Sequence, residues 1–288
     1  MADPCWPGNP RATAVPAAAK LVVVEIRELL VDGSRTTYRV VGAGKTVVLV
    51  HGLSGSWRWW EPVLEPLAER RRVHLIDLPR LGRRLPAAEL TGWLGRWLEA
   101  AKLESVDLIG HSLGGLIAAE LAAEQPHRVH RLALVAPAGI PCGNTVFSRS
   151  VRLLGTLYDV RGRLPTIAYD GMRAGPFSLI RGALFASHRD LSVELASIQA
   201  RTLLIWGEDD RLLPARIAAE WQNVLPGSRL VRLRCGHVPM WEAPRELASH
   251  LLDFFGEERF DHPGDEVGLG VVHGVRLARN DDELTAGQ

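Results

Sequence analysis

Apolar and polar positions along the chain follow two periods, and the elements that they predict alternate. Short continuous apolar runs predict strands buried on both faces, and helically spaced apolar residues between the runs predict helices. The predicted buried strands are Lys45–Gly52, Arg71–Pro79, Ser105–Gly110, Arg128–Gly139, Arg201–Gly207 and Ser228–Gly236. The predicted helices are Trp60–Glu69, Pro86–Ala101, Ser112–Glu124, Ala215–Leu225 and Ala243–Phe255.

Two more strands, Leu21–Leu30 and Arg35–Gly42, precede the alternating part as an antiparallel pair joined by the Asp32-Gly33 turn. With them, the repeated β-α-β order predicts an α/β fold. We expect a mainly parallel eight-stranded sheet with helices on both faces.

One section breaks the alternation. Residues 141–197 hold short amphipathic helix patterns separated by glycine and proline, and none of them predicts a strand. A connection of this length is typical of a lid or cap. The predicted organisation is therefore a flexible arm over 1–20, a core over 21–140 and 198–258, an inserted helical cap over 141–197, and a tail over 259–288.

Composition narrows the class of protein. The chain has 288 residues, of which 47% are hydrophobic and 23% charged, and its net charge of +1 gives no overall attraction to nucleic acid or an anionic membrane. No apolar run reaches the length of about 18 residues that a membrane span needs. The first twenty residues are interrupted by prolines and lack the apolar core of a signal peptide, so we expect a cytoplasmic protein. Three widely spaced cysteines, Cys5, Cys142 and Cys235, suggest neither a disulfide framework nor a metal motif.

Candidate chemistry begins with Ser112, in the segment DLIGHSLGGL, two residues after a predicted strand. Ligands of parallel sheets bind beyond the carboxyl ends of the strands. Gly110 and Gly114 lack the Cβ atoms that would clash in a tight strand-to-helix turn, so the serine is a candidate nucleophile on that turn. By itself the motif leaves a second interpretation open, a plain helix cap.

A serine nucleophile requires a base, and the base requires an orienting carboxylate. His237 follows the last predicted strand in LRCGHVPMWEAP, whereas His51 and His111 are expected to be structural. The segment GEDD places Glu208, Asp209 and Asp210 after the preceding strand. Three strand ends thus offer the three partners of one mechanism in the order serine, acid, histidine.

The blocks VVLVHGLSGSWRWW, LIGHSLGGLIAAELAAEQP, LLIWGEDDRLLP and CGHVPMWEAP together resemble the α/β-hydrolase superfamily in content and order, from about Val22 to Phe255. The resemblance implies Ser112 as nucleophile and His237 as base. It favours Asp210 as the acid, since members place it last in this acidic cluster and the alternative acid position, in APAGIPCGN, holds no carboxylate. It also implies backbone N–H groups of Leu53 and Leu113 as the oxyanion hole, with no cofactor and no metal.

The resemblance implies a carboxylesterase-like or lipase-like enzyme acting on a small apolar ester. Lactone opening, perhydrolysis and carbon–carbon cleavage by the same residues are alternatives, although members of the last group often carry tryptophan where this chain has Val238. A weakly catalytic receptor of the same fold is a third possibility. Trp57, Trp59 and Trp60 are candidates for a pocket wall or for helix packing. The segment after Pro79 departs from the usual glycine-rich turn of the family, which leaves its role at the site rim open.

Overall fold

A computed structural model of the chain describes residues 24–82, 85–141, 156, 160–225 and 227–256. Its centre is one sheet with the strand order β1-β2-β4-β3-β5-β6-β7-β8. β2 is antiparallel to both β1 and β4, and the other neighbours are parallel, so the predicted α/β fold with an eight-stranded, mainly parallel sheet is confirmed. The strands are β1 (Val24–Val31), β2 (Ser34–Val41), β3 (Thr46–Val50), β4 (Arg72–Ile76), β5 (Val106–His111), β6 (Val129–Val135), β7 (Arg201–Gly207) and β8 (Arg229–Leu233).

The first two strands form the predicted hairpin. Asp32 and Gly33, at φ 50° and 72°, form its two-residue turn. Positive φ at both central positions matches the right-handed twist of the flanking strands. The register from Val24 opposite Val41 to Val31 opposite Ser34 follows from this turn.

Helices cover both faces of the sheet because its central strands are apolar on both sides. The first of two buried clusters includes Leu94, Trp97, Leu116 and Leu121, and the second includes Trp60, Leu67, Leu251 and Phe254. The helices are α1 (Glu61–Ala68), α2 (Leu90–Ala100), α3 (Leu113–Glu124), α4 (Leu164–Ala174), α5 (Pro176–His188), α6 (Arg216–Val224), α7 (Pro239–Glu242) and α8 (Pro244–Gly256). Among the described residues, no helix is long and apolar enough to cross a membrane.

Two helices, α4 and α5, occupy the interval between β6 and β7 where a helical cap is predicted. A further helix pattern predicted near 145–160 lies almost entirely outside the described residues, and the predicted arm and the predicted tail lie wholly outside them. Gly182 of α5 packs closely against the oxyanion candidates, since a Cβ atom there would lie 2.5 Å from the Leu53 side chain. Helix α5 therefore lies over the carboxyl ends of the central strands.

The strand order reverses direction in the middle of the sheet. From β3 the chain passes to β4 on one side and then to β5 on the other. Such a reversal opens a crevice at the carboxyl ends of the two strands, which is where open α/β sheets bind ligands. Leu53 follows β3 and Ser112 follows β5, so both lie at this crevice.

Candidate active site

Ser112 occupies a strained turn between β5 and α3. Its φ and ψ are 52° and −117°, a conformation that L-residues rarely adopt. The turn closes only because its flanking residues are glycines. A Cβ atom on Gly110 would lie 2.4 Å from the carbonyl oxygen of Gly114, and one on Gly114 would lie 2.5 Å from the carbonyl oxygen of His51. The geometry lifts the serine side chain away from the helix, and its hydroxyl makes no hydrogen bond that caps α3.

The structure brings Ser112, His237 and Asp210 into one hydrogen-bonded row. Ser112 Oγ lies 3.1 Å from His237 Nε2. His237 Nδ1 lies 2.7 Å from Asp210 Oδ2, and both of these side chains are buried. A carboxylate accepts a hydrogen bond from a protonated Nδ1. The neutral ring then has no proton on Nε2, which can accept the hydroxyl proton of the serine.

The three acids of GEDD have different surroundings. The second oxygen of Asp210 accepts the backbone N–H groups of Leu212 at 2.9 Å and Leu213 at 2.8 Å, so both oxygens of this carboxylate are engaged. Glu208 and Asp209 are exposed at the surface. Only Asp210 is placed beside His237.

The backbone around His237 is held from both sides. His111 Nε2 lies 2.9 Å from the carbonyl oxygen of His237, and burial lowers the pKa of His111 to about 3. The neutral ring therefore donates from Nε2. Glu242 accepts the N–H of Gly236 at 2.7 Å and that of Val238 at 3.0 Å. The sequence did not single out Glu242. The only feature that marks it there is its position, five residues after a candidate histidine.

Leu53 and Leu113 line the same cleft. Gly52 to Gly55 form a tight turn closed by a 3.1 Å hydrogen bond, with Ser54 at φ 58°. Within the described residues, the N–H groups of Leu53 and Leu113 donate to no other group. Two free donors therefore flank the cleft next to Ser112, an arrangement that suits a developing oxyanion.

His51 supports this turn. Its Nδ1 lies 2.8 Å from the carbonyl oxygen of Gly52, and its Nε2 accepts the N–H of Leu78 at 2.9 Å. Burial lowers the pKa of His51. Because Nε2 accepts from Leu78 and Nδ1 faces a carbonyl oxygen, the proton of the ring lies on Nδ1. The expectation that His51 is structural agrees with these contacts.

The tryptophans that follow the Gly52–Gly55 turn pack against other side chains and do not line the cleft. Trp60 is fully buried, and the ring of Trp59 lies 4.5 Å from that of Trp241. Trp57 contacts the guanidinium group of Arg39. Of the two roles considered for them, the structure favours packing.

No group of three or more His, Cys, Asp or Glu residues in the described part of the chain has the arrangement of a metal site. Cys235 is buried, and burial raises the pKa of its thiol to about 12. It is therefore a packing residue and no second nucleophile. Cys5 and Cys142 lie outside the described residues.

The geometry of the sheet and of the serine turn has a counterpart in known proteins. Residues 47–250 match the model of the alpha/beta hydrolase family. The chain belongs to this family. The enzyme is 40% identical over 248 residues to a pimeloyl-[acyl-carrier protein] methyl ester esterase of Aeromonas hydrophila, a match that covers 75% of this chain and 97% of the relative.

Other proteins similar to this α/β hydrolase have the names of hydrolases of other substrates. A 2-hydroxy-6-oxo-2,4-heptadienoate hydrolase of Pseudomonas putida is 30% identical over 81% of this chain and 96% of its own. Among solved structures, a bacterial membrane phospholipase A is 27% identical with a TM-score of 0.67, over 81% of this chain and 86% of that one. Membership of the family thus shows that the chain is a hydrolase. Its relatives include both esterases and carbon–carbon hydrolases.

Proposed function

We propose that this α/β hydrolase is a serine hydrolase that cleaves carboxylic esters through an acyl-enzyme. The observation that carries the proposal is the continuous row from Ser112 Oγ through the His237 ring to the Asp210 carboxylate, with contacts of 3.1 Å and 2.7 Å. A serine hydroxyl is a weak nucleophile, and this row supplies the base and its orienting group.

In the first half of the reaction, Ser112 Oγ attacks the ester carbonyl carbon while His237 Nε2 takes the hydroxyl proton. The new C–O bond makes the carbonyl oxygen an anion, which accepts the N–H groups of Leu53 and Leu113. Asp210 stabilises the imidazolium without taking its proton. When the tetrahedral intermediate collapses, the bond to the alcohol oxygen breaks and His237 gives its proton to that oxygen.

Water completes the cycle. His237 removes a proton from the water molecule as the water oxygen attacks the acyl carbon, and the same two N–H groups hold the second oxyanion. Collapse breaks the bond to Ser112 Oγ, which regains its proton from His237. The products are a carboxylic acid and an alcohol, and no other co-reactant is consumed.

An ester is the substrate class we favour, because the esterase relative is 40% identical whereas the carbon–carbon hydrolase relative is 30% identical. The residue after His237 is Val238, where carbon–carbon hydrolases that resemble this chain often carry tryptophan. Val238 is buried and donates its N–H to Glu242. Carbon–carbon cleavage by the same residues is the second candidate, supported by the Pseudomonas putida relative.

The deciding experiment combines active-site labelling with a substrate panel. Purified enzyme is treated with a fluorophosphonate probe and assayed on p-nitrophenyl esters of increasing acyl length and on a ring-cleavage diketone. We expect labelling and ester hydrolysis that are lost in Ser112→Ala and kept in Ser197→Ala, a change at an exposed serine. If wild type neither reacts with the probe nor hydrolyses any ester, the proposal is wrong. Turnover of the diketone alone would select the second candidate.

A further inference from the structure

The cleft beside Ser112 has positively charged side chains in its wall, which the binding of an apolar ester does not require. Its wall includes the oxyanion candidates Leu53 and Leu113, and apolar side chains make up much of the remainder. The same wall also includes Arg80, Arg173 and Ser54. Arginine and hydroxyl groups are typical of sites that bind a carboxylate.

Arg173 lines the cleft and donates a 3.4 Å hydrogen bond to the Gly55 carbonyl oxygen. It shares its two carboxylate partners with Arg39 and Arg58, which do not line the cleft. Arg173 lies 3.5 Å from Asp77 and 3.9 Å from Asp170. Asp77 is also 3.8 Å from Arg39, and Asp170 is 3.7 Å from Arg58. Three guanidinium groups therefore share two carboxylates, at distances longer than a direct N–H···O hydrogen bond.

Arg80 adds a further positive charge at the cleft. Its side chain is exposed, and within the described residues it makes no hydrogen bond or ion pair. The Ser54 hydroxyl likewise has no partner among the described residues. Both groups are thus available to a ligand, and Arg173 is available in part.

The geometry of the proposed reaction decides which part of an ester enters the cleft. In the tetrahedral intermediate the acyl carbon carries four groups, namely Ser112 Oγ, the oxyanion, the leaving alcohol and the acyl chain. The oxyanion points to the N–H groups of Leu53 and Leu113. The leaving alcohol must lie near His237 Nε2 to receive its proton. Neither His237 nor Ser112 lines the cleft itself, but Gly52 of the cleft wall lies against Ser112, since a Cβ atom on Gly52 would be 3.1 Å from Ser112 Cβ. The acyl chain is therefore the group directed along the cleft wall.

We infer that the cleft binds an acyl chain that ends in a negatively charged carboxylate, held by Arg80 with Ser54 and Arg173, so that the substrate is a half ester of a dicarboxylic acid. The inference rests on the proposed esterase function. The apolar wall contacts the methylene groups between the two ends of such a chain, and the arginines contact the free carboxylate.

The test uses paired substrates that differ only in charge. Monomethyl esters of the dicarboxylic acids from succinate to suberate are compared with the matching ω-carboxamide methyl esters, and kcat/KM is followed by acid release. We expect the carboxylate to be preferred by about 10-fold or more at one chain length, the effect of a single charge-assisted hydrogen bond. High salt should weaken that preference, because it screens the partly exposed charges.

Variants assign the effect to Arg80. Arg80→Gln should reduce the carboxylate preference, which is the ratio of kcat/KM for the carboxylate ester to that for its matching carboxamide ester, by about 5-fold or more, and Arg80→Glu should reduce it further. The matched control is Arg70→Gln. Arg70 is exposed and precedes β4, so it lies at the amino end of that strand, whereas the cleft lies at the carboxyl ends. Thermal unfolding of each variant checks that the fold is intact.

The outcomes separate this inference from the esterase proposal. Equal rates for carboxylate and carboxamide esters at every length would overturn the inference and leave the esterase proposal intact. Equal changes in Arg80→Gln and Arg70→Gln would also overturn it. If no ester of either kind is hydrolysed and Ser112 is not labelled, the esterase proposal fails and the inference fails with it.

Discussion

The carboxylate of Glu242 accepts the backbone N–H groups on both sides of His237, from Gly236 at 2.7 Å and from Val238 at 3.0 Å. With His111 on the carbonyl oxygen of His237 itself, the loop has hydrogen-bond partners at three consecutive residues. These contacts leave the imidazole ring little freedom to move relative to Ser112. In the proposed reaction, Glu242 is therefore a positioning residue that acts through the backbone.

Glu242→Gln should slow the proposed reaction. The amide oxygen of glutamine replaces one of the two carboxylate oxygens that accept hydrogen bonds. The amide nitrogen replaces the other, and it cannot accept a hydrogen bond from the backbone N–H group that it faces. A displacement of the base by about 1 Å can reduce rates by about 100-fold, so we expect kcat to fall by about 10- to 100-fold with KM little changed. Steady-state kinetics on a p-nitrophenyl ester measure this, with the exposed Glu246→Gln as the matched control. A lower unfolding temperature with unchanged kcat would show a purely structural role.

The assignment of the acid is tested by two neighbouring substitutions. Asp210→Asn should reduce kcat by about 10,000-fold, because an amide favours the wrong histidine tautomer. Asp209→Asn, at an exposed side chain, should change it by less than about 2-fold, as is usual for surface positions. The two rates are compared on one ester, and a larger loss at Asp209 would contradict the assignment.

The strain at Ser112 predicts a difference between two inactive variants. Ser112→Ala and Ser112→Gly both remove the hydroxyl, but glycine adopts a φ of 52° without steric cost. Relief of the strain outweighs the greater entropy of glycine in the unfolded chain, so Ser112→Gly should be more stable than Ser112→Ala by about 1 kcal/mol. Urea denaturation measures the difference. Equal stabilities would mean that the turn stores no strain.

Gly114 should tolerate no side chain. A Cβ atom there would lie 2.5 Å from the carbonyl oxygens of both Val50 and His51, which belong to the backbone of the central sheet and the turn beyond it. We expect Gly114→Ala to lower the free energy of unfolding by about 3 kcal/mol or more. Gly162→Ala is the control, since nothing lies within 4 Å of its Cβ position. Similar melting temperatures for both variants would contradict the prediction.

Buried neutral histidines predict a loss of stability in acid. Burial lowers the pKa of His111 to about 3 and that of His74 to about 4, so below pH ~6.5 the unfolded chain binds protons that the folded chain does not. Stability contributed by each group therefore decreases as pH falls, by about 2 kcal/mol between pH ~7.5 and ~5.

His111→Gln isolates this contribution at one site. Glutamine does not titrate, so the loss of stability on acidification should be smaller than in wild type by about 2 kcal/mol over that pH interval. Chemical denaturation at several pH values provides the measurement. A pH dependence equal to that of wild type would show that His111 is not the group responsible.

The sequence alone determined the fold and the order of the candidate site residues. Apolar runs specify strands buried on both faces, and the Asp32-Gly33 turn specifies the first hairpin, because these are local patterns with a local physical cause. The positions of Ser112 and His237 beyond strand ends follow from the same patterns. In GEDD, by contrast, three acids have the same local context, and only a resemblance to known proteins selected one of them.

What the tertiary structure decided depends on contacts between distant parts of the chain. Asp210 is distinguished from Asp209 by burial beside His237, 27 residues later. The contacts of Glu242 and His111 with the His237 backbone leave no periodic signal, because they join side chains to main-chain groups. The charge of the cleft likewise arises because Arg80 of a loop and Arg173 of α4 line the same cleft, and chain order alone does not predict this.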